Sequence, residues 1–311
     1  MPIEDFRVAL IIPTLNAFKD NWHQVLEAIS EQELQPDHRL ILDSGSSDNT
    51  VQLAKDFSFE VHHVPAGSFD HAGTRKWGIS LVIEKVDIII FMTQDAVLAD
   101  GRAFRNLIES FSNESVAIAY GRQLPQENAS PIEAFARHFN YPERAETRQL
   151  ADKARLGMKV AFSSDAFAAY RCSSLEKYDP FPDRSIVGED FITAARLLFQ
   201  GEKLRYAADA RVTHSHDYTI TQEFKRYFDI GVFHKEYEKL LRQLGATEKS
   251  GANFVKSELK YLLKNSARSI PLAITRTISK YLGYKIGKAH THMNRRLRTR
   301  CSMHAYYFNN R

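Results

Sequence analysis

Residues 87–95 read DIIIFMTQD. Four apolar residues, Ile88 to Phe91, three of them β-branched, form the pattern of a strand buried on both faces of a parallel sheet. The run then breaks at Met92, Thr93, Gln94 and Asp95. A carboxylate at the carboxyl end of such a strand stands where open α/β sheets place their ligands. It suits a divalent cation that shares oxygen ligands with a phosphate, and it equally suits a cap on the next helix. This stretch alone leaves both readings open.

Working outward, residues 8–12 form an apolar strand that ends in Pro13-Thr14-Leu15-Asn16. Residues 39–42 form a second, ending in Asp43-Ser44-Gly45-Ser46-Ser47-Asp48, and residues 61–64 a short third. Between them lie helical spacings. Residues 21–33 carry Trp22, Val25, Leu26 and Ile29; a helix that Ser47 or Asp48 can cap carries Val51, Leu53, Ala54 and Phe57; residues 72–84 supply another. Strands alternating with helices predict an α/β fold with a doubly wound, mainly parallel sheet. Ligand loops then belong at the carboxyl ends of strands one, two and four. The polar clusters PTLN, DSGSSD and TQDA occupy those three places. No GxGxxG opens a helix after the first strand and no GxxxxGK[ST] occurs, which argues against a dinucleotide oxidoreductase and a P-loop NTPase.

Beyond Asp100 the pattern loosens. Residues 116–120 and 162–170 have strand character, and residues 125–158 are polar and partly helical, as an acceptor-side insertion would be. Residues 180–188 read as a loop and residues 189–199 as a helix with Ile192, Ala195, Arg196 and Phe199 in periodic places. Residues 204–208 and 210–213 read as two short strands before His214-Ser215-His216.

The 311 residues allow one large α/β domain with additions, or two domains. Two cysteines, Cys172 and Cys301, are too few for a disulfide framework, which fits a reducing compartment. No leader pattern opens the chain and no apolar run is long enough to cross a bilayer, so a cytoplasmic location without a membrane span is expected. The net charge of +4 conceals a split. Residues 251–311 hold thirteen Lys and Arg against one acid, Glu258, which leaves the first 250 residues at −8. An acidic body with a basic tail needs an anionic partner for the tail.

Taken in order, VALIIPTLN, LDSGSSDNT, FDHAGTRKWG, FMTQDA, SSDAFAAYR, GED and VTHSH make the sequence resemble the family 2 inverting glycosyltransferases of the GT-A (Rossmann-like) fold. Within them it looks most like the rhamnosyltransferases that build bacterial surface polysaccharides. The resemblance covers roughly residues 7–220 and implies a catalytic domain over residues 1–220, followed by a helical, basic region over residues 221–311. It places Pro13, Thr14, Asn16, Asp43, Ser44, Arg75, Gln94 and Asp95 at the donor, with Asp43 accepting from a pyrimidine ring and Arg75 forking onto phosphate. The alternative for Asp43 is a strand-end cap, and for Arg75 a salt bridge. Asp95 with His214 would hold Mg2+ or Mn2+, although the usual Asp-x-Asp is reduced here to Thr93-Gln94-Asp95. His216, Asp70 and His71 are weaker candidates. Asp190, opening a helix after Gly188, would be the general base, with Glu189 orienting the acceptor or the loop.

The implied reaction moves L-rhamnose from dTDP-β-L-rhamnose to a lipid-linked saccharide, as in O-antigen synthesis. A UDP-hexose donor, a sugar nucleotidyltransferase and a catalytically dead membrane adaptor are the rivals. Residues 224–244, 254–270 and 272–286 are amphipathic, and their Lys and Arg suit an anionic membrane surface better than nucleic acid, for which no motif is present. A peripheral enzyme at the inner membrane face is expected, with a homo-oligomer left open.

Overall fold

The computed structural model of the chain describes residues 3–245 and 248–309. Among them one curled sheet of nine strands carries helices on both faces. Strands β1 (Val8–Thr14), β2 (His38–Asp43), β3 (Glu60–His63) and β4 (Ile88–Met92) lie parallel in the order β3-β2-β1-β4. Helices α1 (Trp22–Ser30), α2 (Thr50–Asp56) and α3 (His71–Val82) connect them. All five residues of β4 are buried, as expected of the strand under the DIIIFMTQD loop.

The second half is mixed. It runs through β5 (Val97–Leu98), α4 (Ala103–Ile108), β6 (Val116–Leu124), α5 (Pro131–Asn140), β7 (Glu146–Arg148), α6 (Lys153–Leu156), β8 (Phe167–Arg171), α7 (Cys172–Tyr178), α8 (Glu189–Phe199) and β9 (Lys203–Thr213). The alternation that predicts parallel strands ends at β4. Strand β8 inserts antiparallel between β4 and β6, β9 runs parallel to β6, and β5 and β7 pair antiparallel with β9. The two short strands expected at residues 204–213 are one strand with a register shift opposite Gly121–Arg122. A Cβ on Gly121 would stand 2.4 Å from the Phe167 ring and 2.5 Å from the Ala210 carbonyl, so the irregularity needs glycine there. Strand β8 starts at Phe167 rather than 162, which leaves Ser163, Ser164 and Asp165 in the loop that enters it.

One apolar layer packs Trp22 and Phe104 beneath the sheet, and a second packs Ile79 and Leu197 above it. After β9 come α9 (Ile220–Glu236), α10 (Glu238–Leu244), α11 (Glu248–Asn265), α12 (Ile270–Lys288), α13 (Arg295–Cys301) and α14 (Tyr306–Asn309). This region shares cores with the sheet domain. Leu244 joins the upper layer, while Phe228, Val232, Tyr307 and Phe308 pack with Ile186 and Ile192 around the entry to α8. Residues 302–304 are pinned to α9 by the buried Asp229, which accepts from Ser302 Oγ at 2.6 Å and from the N–H groups of Met303 and His304 at 2.9 and 3.2 Å. Burial pushes that carboxyl up to about 7 against these bonds.

Candidate active site

Three polar loops meet at the carboxyl ends of β1, β2 and β4, and the side chains expected at the donor lace them together. Asp43 is 1% exposed. Its Oδ1 accepts from Thr14 Oγ1 at 3.3 Å and Ser46 Oγ at 2.5 Å, and its Oδ2 from the Gly45 and Ser46 N–H groups at 3.1 and 3.0 Å. In this structure Asp43 therefore anchors the DSGSS turn. Asn16 adopts a left-handed backbone and accepts from Ser47 N–H at 2.9 Å. Gln94, expected to face the donor, engages both ends of its amide elsewhere: Oε1 accepts from Leu15 N–H at 2.8 Å, and Nε2 donates to Asp20 at 2.9 Å. It ties the β1 loop to the β4 loop. Pro13 lies within β1. The hydroxyls of Ser44 and Thr93 are buried without a protein hydrogen-bond partner, one in the β2 loop and one in the β4 loop.

Asp95 meets two imidazoles that arrive on the end of β9. His214 Nε2 stands 3.3 Å from Oδ1 and His216 Nε2 3.1 Å from Oδ2, with the two nitrogens 3.1 Å apart. Burial alone would raise the Asp95 carboxyl, but the two histidines outweigh it and hold the group well below its ordinary range. Burial lowers His214, against the hydrogen bond and charge of Asp95, which favour the protonated ring. Its tautomer follows from its neighbours. Arg137 can only donate, and Nη1 reaches Gln123 Oε1 at 2.7 Å, which fixes that amide's orientation. His214 Nδ1, 2.9 Å from the same oxygen, must then carry the proton. Nε2 is left with its lone pair turned toward Asp95 and His216. One carboxylate and two imidazoles whose ligand atoms lie within 4.8 Å of one another are a donor set that a divalent cation satisfies. His216, read as the weaker histidine in the sequence, belongs to the cluster as closely as His214.

The other side of the site is a buried carboxylate group at the start of α8. Arg75 is 4% exposed and pairs through Nε with Asp165 Oδ2 at 3.1 Å and through Nη1 with Glu189 Oε1 at 2.9 Å. Its guanidinium also lies 5.7 Å from the centroid of the Phe91 ring. The fork expected on a phosphate is thus taken up by two acids, because α3, which carries Arg75, packs in the same layer as α8. Tyr170 donates to Asp165 at 2.5 Å, and Asp165 N–H donates to Asp190 Oδ2 at 3.3 Å. Burial pushes Asp165 up to about 6, with Glu189 adding to the rise and Arg75 opposing it. Asp190 rises well above the ordinary carboxylate value for the same reasons: burial first, then Glu189 and Asp165. Gly188 enters α8 with φ 78, and the Phe233 ring packs 3.2 Å from where a Cβ would be.

Hydrogen bonds join the two sides. Gln123 Nε2 donates to Ser164 Oγ at 2.8 Å, and the next residue, Asp165, holds Asp190. Gln123 and Arg137 fall in no motif, and Ser164 and Asp165 fall in SSDAFAAYR without a role, because no spacing marks a residue that supports a ligand from another strand. Asp70 caps α3 and also accepts from Ser185 N–H at 3.3 Å, while His71 stacks edge-on against His304 at 4.8 Å. Asp70 thus supports the α8 entry loop, while His71 packs on the carboxyl-terminal segment.

Residues 9–179 match the family model described as Glycosyl transferase family 2. The chain is 42% identical over 305 residues to the O-antigen chain rhamnosyltransferase RfbN of Salmonella typhimurium, covering 98% of this chain and 96% of that protein. It is 39% identical to the O-antigen chain rhamnosyltransferase WbaN of Salmonella anatum, over 97% and 95%. The mannosyltransferase PcManGT from Pyrobaculum calidifontis, solved with GDP-Man and Mn2+, is similar in structure with a TM-score of 0.59 at 16% identity, over 91% of this chain and 86% of that one. Glucosyl-3-phosphoglycerate synthase from Mycobacterium tuberculosis, solved with Mn2+, UDP and glucosyl-3-phosphoglycerate, gives a TM-score of 0.52 at 16% identity, over 78% and 81%. At such identities these likenesses speak for the fold, and that fold is GT-A.

Proposed function

Because the chain belongs to glycosyl transferase family 2, we propose that it is an inverting rhamnosyltransferase that moves L-rhamnose from dTDP-β-L-rhamnose to a lipid-linked saccharide during O-antigen or related surface-polysaccharide synthesis. The full-length relatives named as O-antigen chain rhamnosyltransferases support the sugar and the pathway class. The observation that carries the chemistry is a pairing: a carboxylate with two imidazoles, linked through Gln123, Ser164 and Asp165 to a half-buried carboxylate raised above its ordinary range.

Asp190 is the base in this reading. A carboxylate raised well above its ordinary range takes a hydroxyl proton better than one of ordinary acidity. Its oxygens are held by the N–H groups of Phe191 and Asp165, so it meets the acceptor in a fixed direction. The acceptor oxygen bonds to the anomeric carbon, the proton passes to Asp190, and the bond from that carbon to the diphosphate oxygen breaks, which inverts the centre. Glu189 is buried against Arg75 and holds the loop rather than the acceptor. Asp95, His214 and His216 would hold Mn2+ or Mg2+, which neutralises charge on a diphosphate.

The acceptor's lipid is supported by one face of the carboxyl-terminal helices. Ile274, Ile278, Tyr281, Leu282 and Ile286 are exposed on one side of α12, among the exposed bases Lys285 and Lys288, with Lys260 and Lys264 exposed on α11. Among the described residues no helix is long and apolar enough to cross a membrane, so the contact proposed is peripheral, at the inner face.

A panel of dTDP- and UDP-sugars offered to the purified enzyme with a lipid-linked acceptor tests the reading. Transfer from dTDP-β-L-rhamnose with release of dTDP is expected; transfer from a UDP-hexose alone would overturn the rhamnosyl assignment. Asp190→Asn should lower kcat about 1,000-fold and leave dTDP affinity within about twofold, and near wild-type turnover would remove Asp190 as the base.

A further inference from the structure

With Arg75 enclosed by Asp165 and Glu189, the phosphate-binding cation expected at the donor has to come from elsewhere. Arg226 on α9 is exposed, and among the described residues it makes no salt bridge; its Nη1 reaches only Tyr218 Oη, at 3.5 Å. Its guanidinium lies 5.5 Å from the Tyr218 ring centroid, and that ring is stacked on His216 at 5.3 Å and 29°. Arg226 is therefore two ring contacts from the Asp95 cluster.

The helix sets its direction. Arg226, Asp229 and Phe233 are spaced to share one face of α9. Phe233 packs on Gly188 and edge-on against Phe191, flanking Asp190. Asp229 holds residues 302–304, and His304 of that segment stacks on His71. Seven residues of helix span about 10 Å, so Arg226 stands on the face turned to the catalytic domain, between the base loop and the histidines. Tyr141, which is within electrostatic reach of Asp190, is also within reach of Arg226. An exposed cation with these neighbours lines a cleft rather than an outer surface.

We propose that Arg226 binds the diphosphate of the donor and of the departing nucleotide, the role that the sequence pattern assigns to Arg75. The inference rests on the glycosyltransferase reading and deepens it. A guanidinium offers paired N–H groups to phosphate oxygens, and Tyr218 holds its plane without neutralising it. It also adds positive charge beside a metal site that has one carboxylate where two are usual, so the leaving group meets two separate cationic centres. The residue lies beyond the segment that matches the family model, residues 9–179, and beyond the last of the ordered motifs, VTHSH.

The test is direct binding of dTDP, UDP and dTMP, each with Mn2+, to wild-type protein and to Arg226→Ala and Arg226→Lys, with melting temperatures taken alongside. Loss of one charged phosphate contact should weaken dTDP binding about 10- to 100-fold, and the same variant should change dTMP binding about threefold or less. Arg226→Lys should recover part of the loss, since it keeps the charge and not the fork; it also provides the readout if Arg226→Ala folds poorly. Equal dTDP affinity in wild-type and both variants would overturn the assignment of Arg226 alone. A wild-type protein that binds no nucleoside diphosphate would overturn the glycosyltransferase chemistry and this inference together. Binding of UDP but not dTDP, weakened in Arg226→Ala, would sustain Arg226 and overturn the rhamnosyl donor.

Discussion

The proton on His214 Nδ1 is directed to Gln123 by an amide that Arg137 holds in place, and this leaves Nε2 free to face Asp95. Replacing Gln123 by Leu removes the acceptor, lets the ring turn or change tautomer, and leaves the proposed metal ligands Asp95, His214 and His216 in place. Outer-shell partners of a ligating histidine are commonly worth 10- to 100-fold in metal affinity. Gln123→Leu should therefore weaken Mn2+ binding by about that factor, measured by the loss of the free Mn2+ resonance in electron paramagnetic titrations; unchanged affinity would mean that His214 is oriented by something else. On the other side of the site, Asp190 is raised by burial and by two neighbouring acids. As the proposed base, Asp190 would act ionised; a raised carboxylate is protonated over a wider acid range, so kcat/KM should fall on acidification before pH reaches the ordinary carboxylate range near 4. In a pH–rate profile the acid limb should move down toward that range in Glu189→Gln, which removes one of the acids that raise it, provided Arg75 still pairs with Asp165. The placement of Asp95 just after β4 and of Asp190 in the first turn of α8 was legible in sequence, because each falls in a recognisable motif. Arg75, Gln94 and Gln123 were not, because what their side chains meet is decided by strands and helices far away in the chain.

At the scale of elements, the legible part ends where alternation ends. Strands β1 to β4 and their helices follow from apolar runs and helical spacing, and their loops sit where parallel strands place ligands. Strand β8 was misplaced by five residues because the apolar character of residues 162–170 does not mark where pairing begins; the loop lost to that error holds Ser164 and Asp165, the bridge between the two halves of the site. The contact between α9 and α12 was missed for a different reason. Its signal is the Gly283-x-x-x-Gly287 pair, which carries no apolar period. A Cβ on Gly287 would stand 2.0 Å from the Phe228 carbonyl oxygen, one on Gly283 2.3 Å from that of Phe224, and one on Gly231 2.4 Å from that of Tyr284. The two helices touch backbone to backbone, and α9 carries Arg226 and Phe233. Gly287→Val should cost about 3 kcal/mol by forcing them apart, read from urea unfolding, with weaker dTDP binding as a second effect. Gly251→Ala, which meets nothing within 4 Å on exposed α11, is the control and should be neutral or stabilise by up to about 1 kcal/mol. Equal stability of the two variants would mean that the helices are not in backbone contact.

Across the whole molecule, the charge split that stood out in the sequence resolves into two uses. Arg276 and Lys280, counted there among cations of a membrane-facing tail, turn inward instead: Arg276 is 8% exposed, with its Nη1 3.8 Å from Asp217, and Lys280 pairs with Glu223 at 3.2 Å. Arg276 joins α12 to the catalytic body, and Lys280 joins α12 to α9. Lys260, Lys264, Lys285 and Lys288 remain exposed around the apolar stripe of α12, where Ile278 and Tyr281 are 55% and 59% exposed. An apolar stripe with flanking cations, on a region bolted to the active site through α9, would seat the enzyme with its cleft at a fixed height above a membrane. Each lysine near an anionic surface contributes on the order of 1 kcal/mol, and the stripe adds a hydrophobic increment that salt does not screen. Two signatures separate these contributions. The triple variant Lys260→Glu, Lys264→Glu, Lys285→Glu should lower binding to phosphatidylglycerol-containing vesicles roughly 100-fold and abolish its salt dependence. Ile278→Glu should lower binding at every salt concentration, because it places a charge within the stripe. Cosedimentation with anionic and with pure phosphatidylcholine vesicles reads both. If wild-type protein binds the two vesicle types equally, or neither variant changes binding, the face is an ordinary solvated surface and the lipid-linked acceptor must be met by another part of the chain.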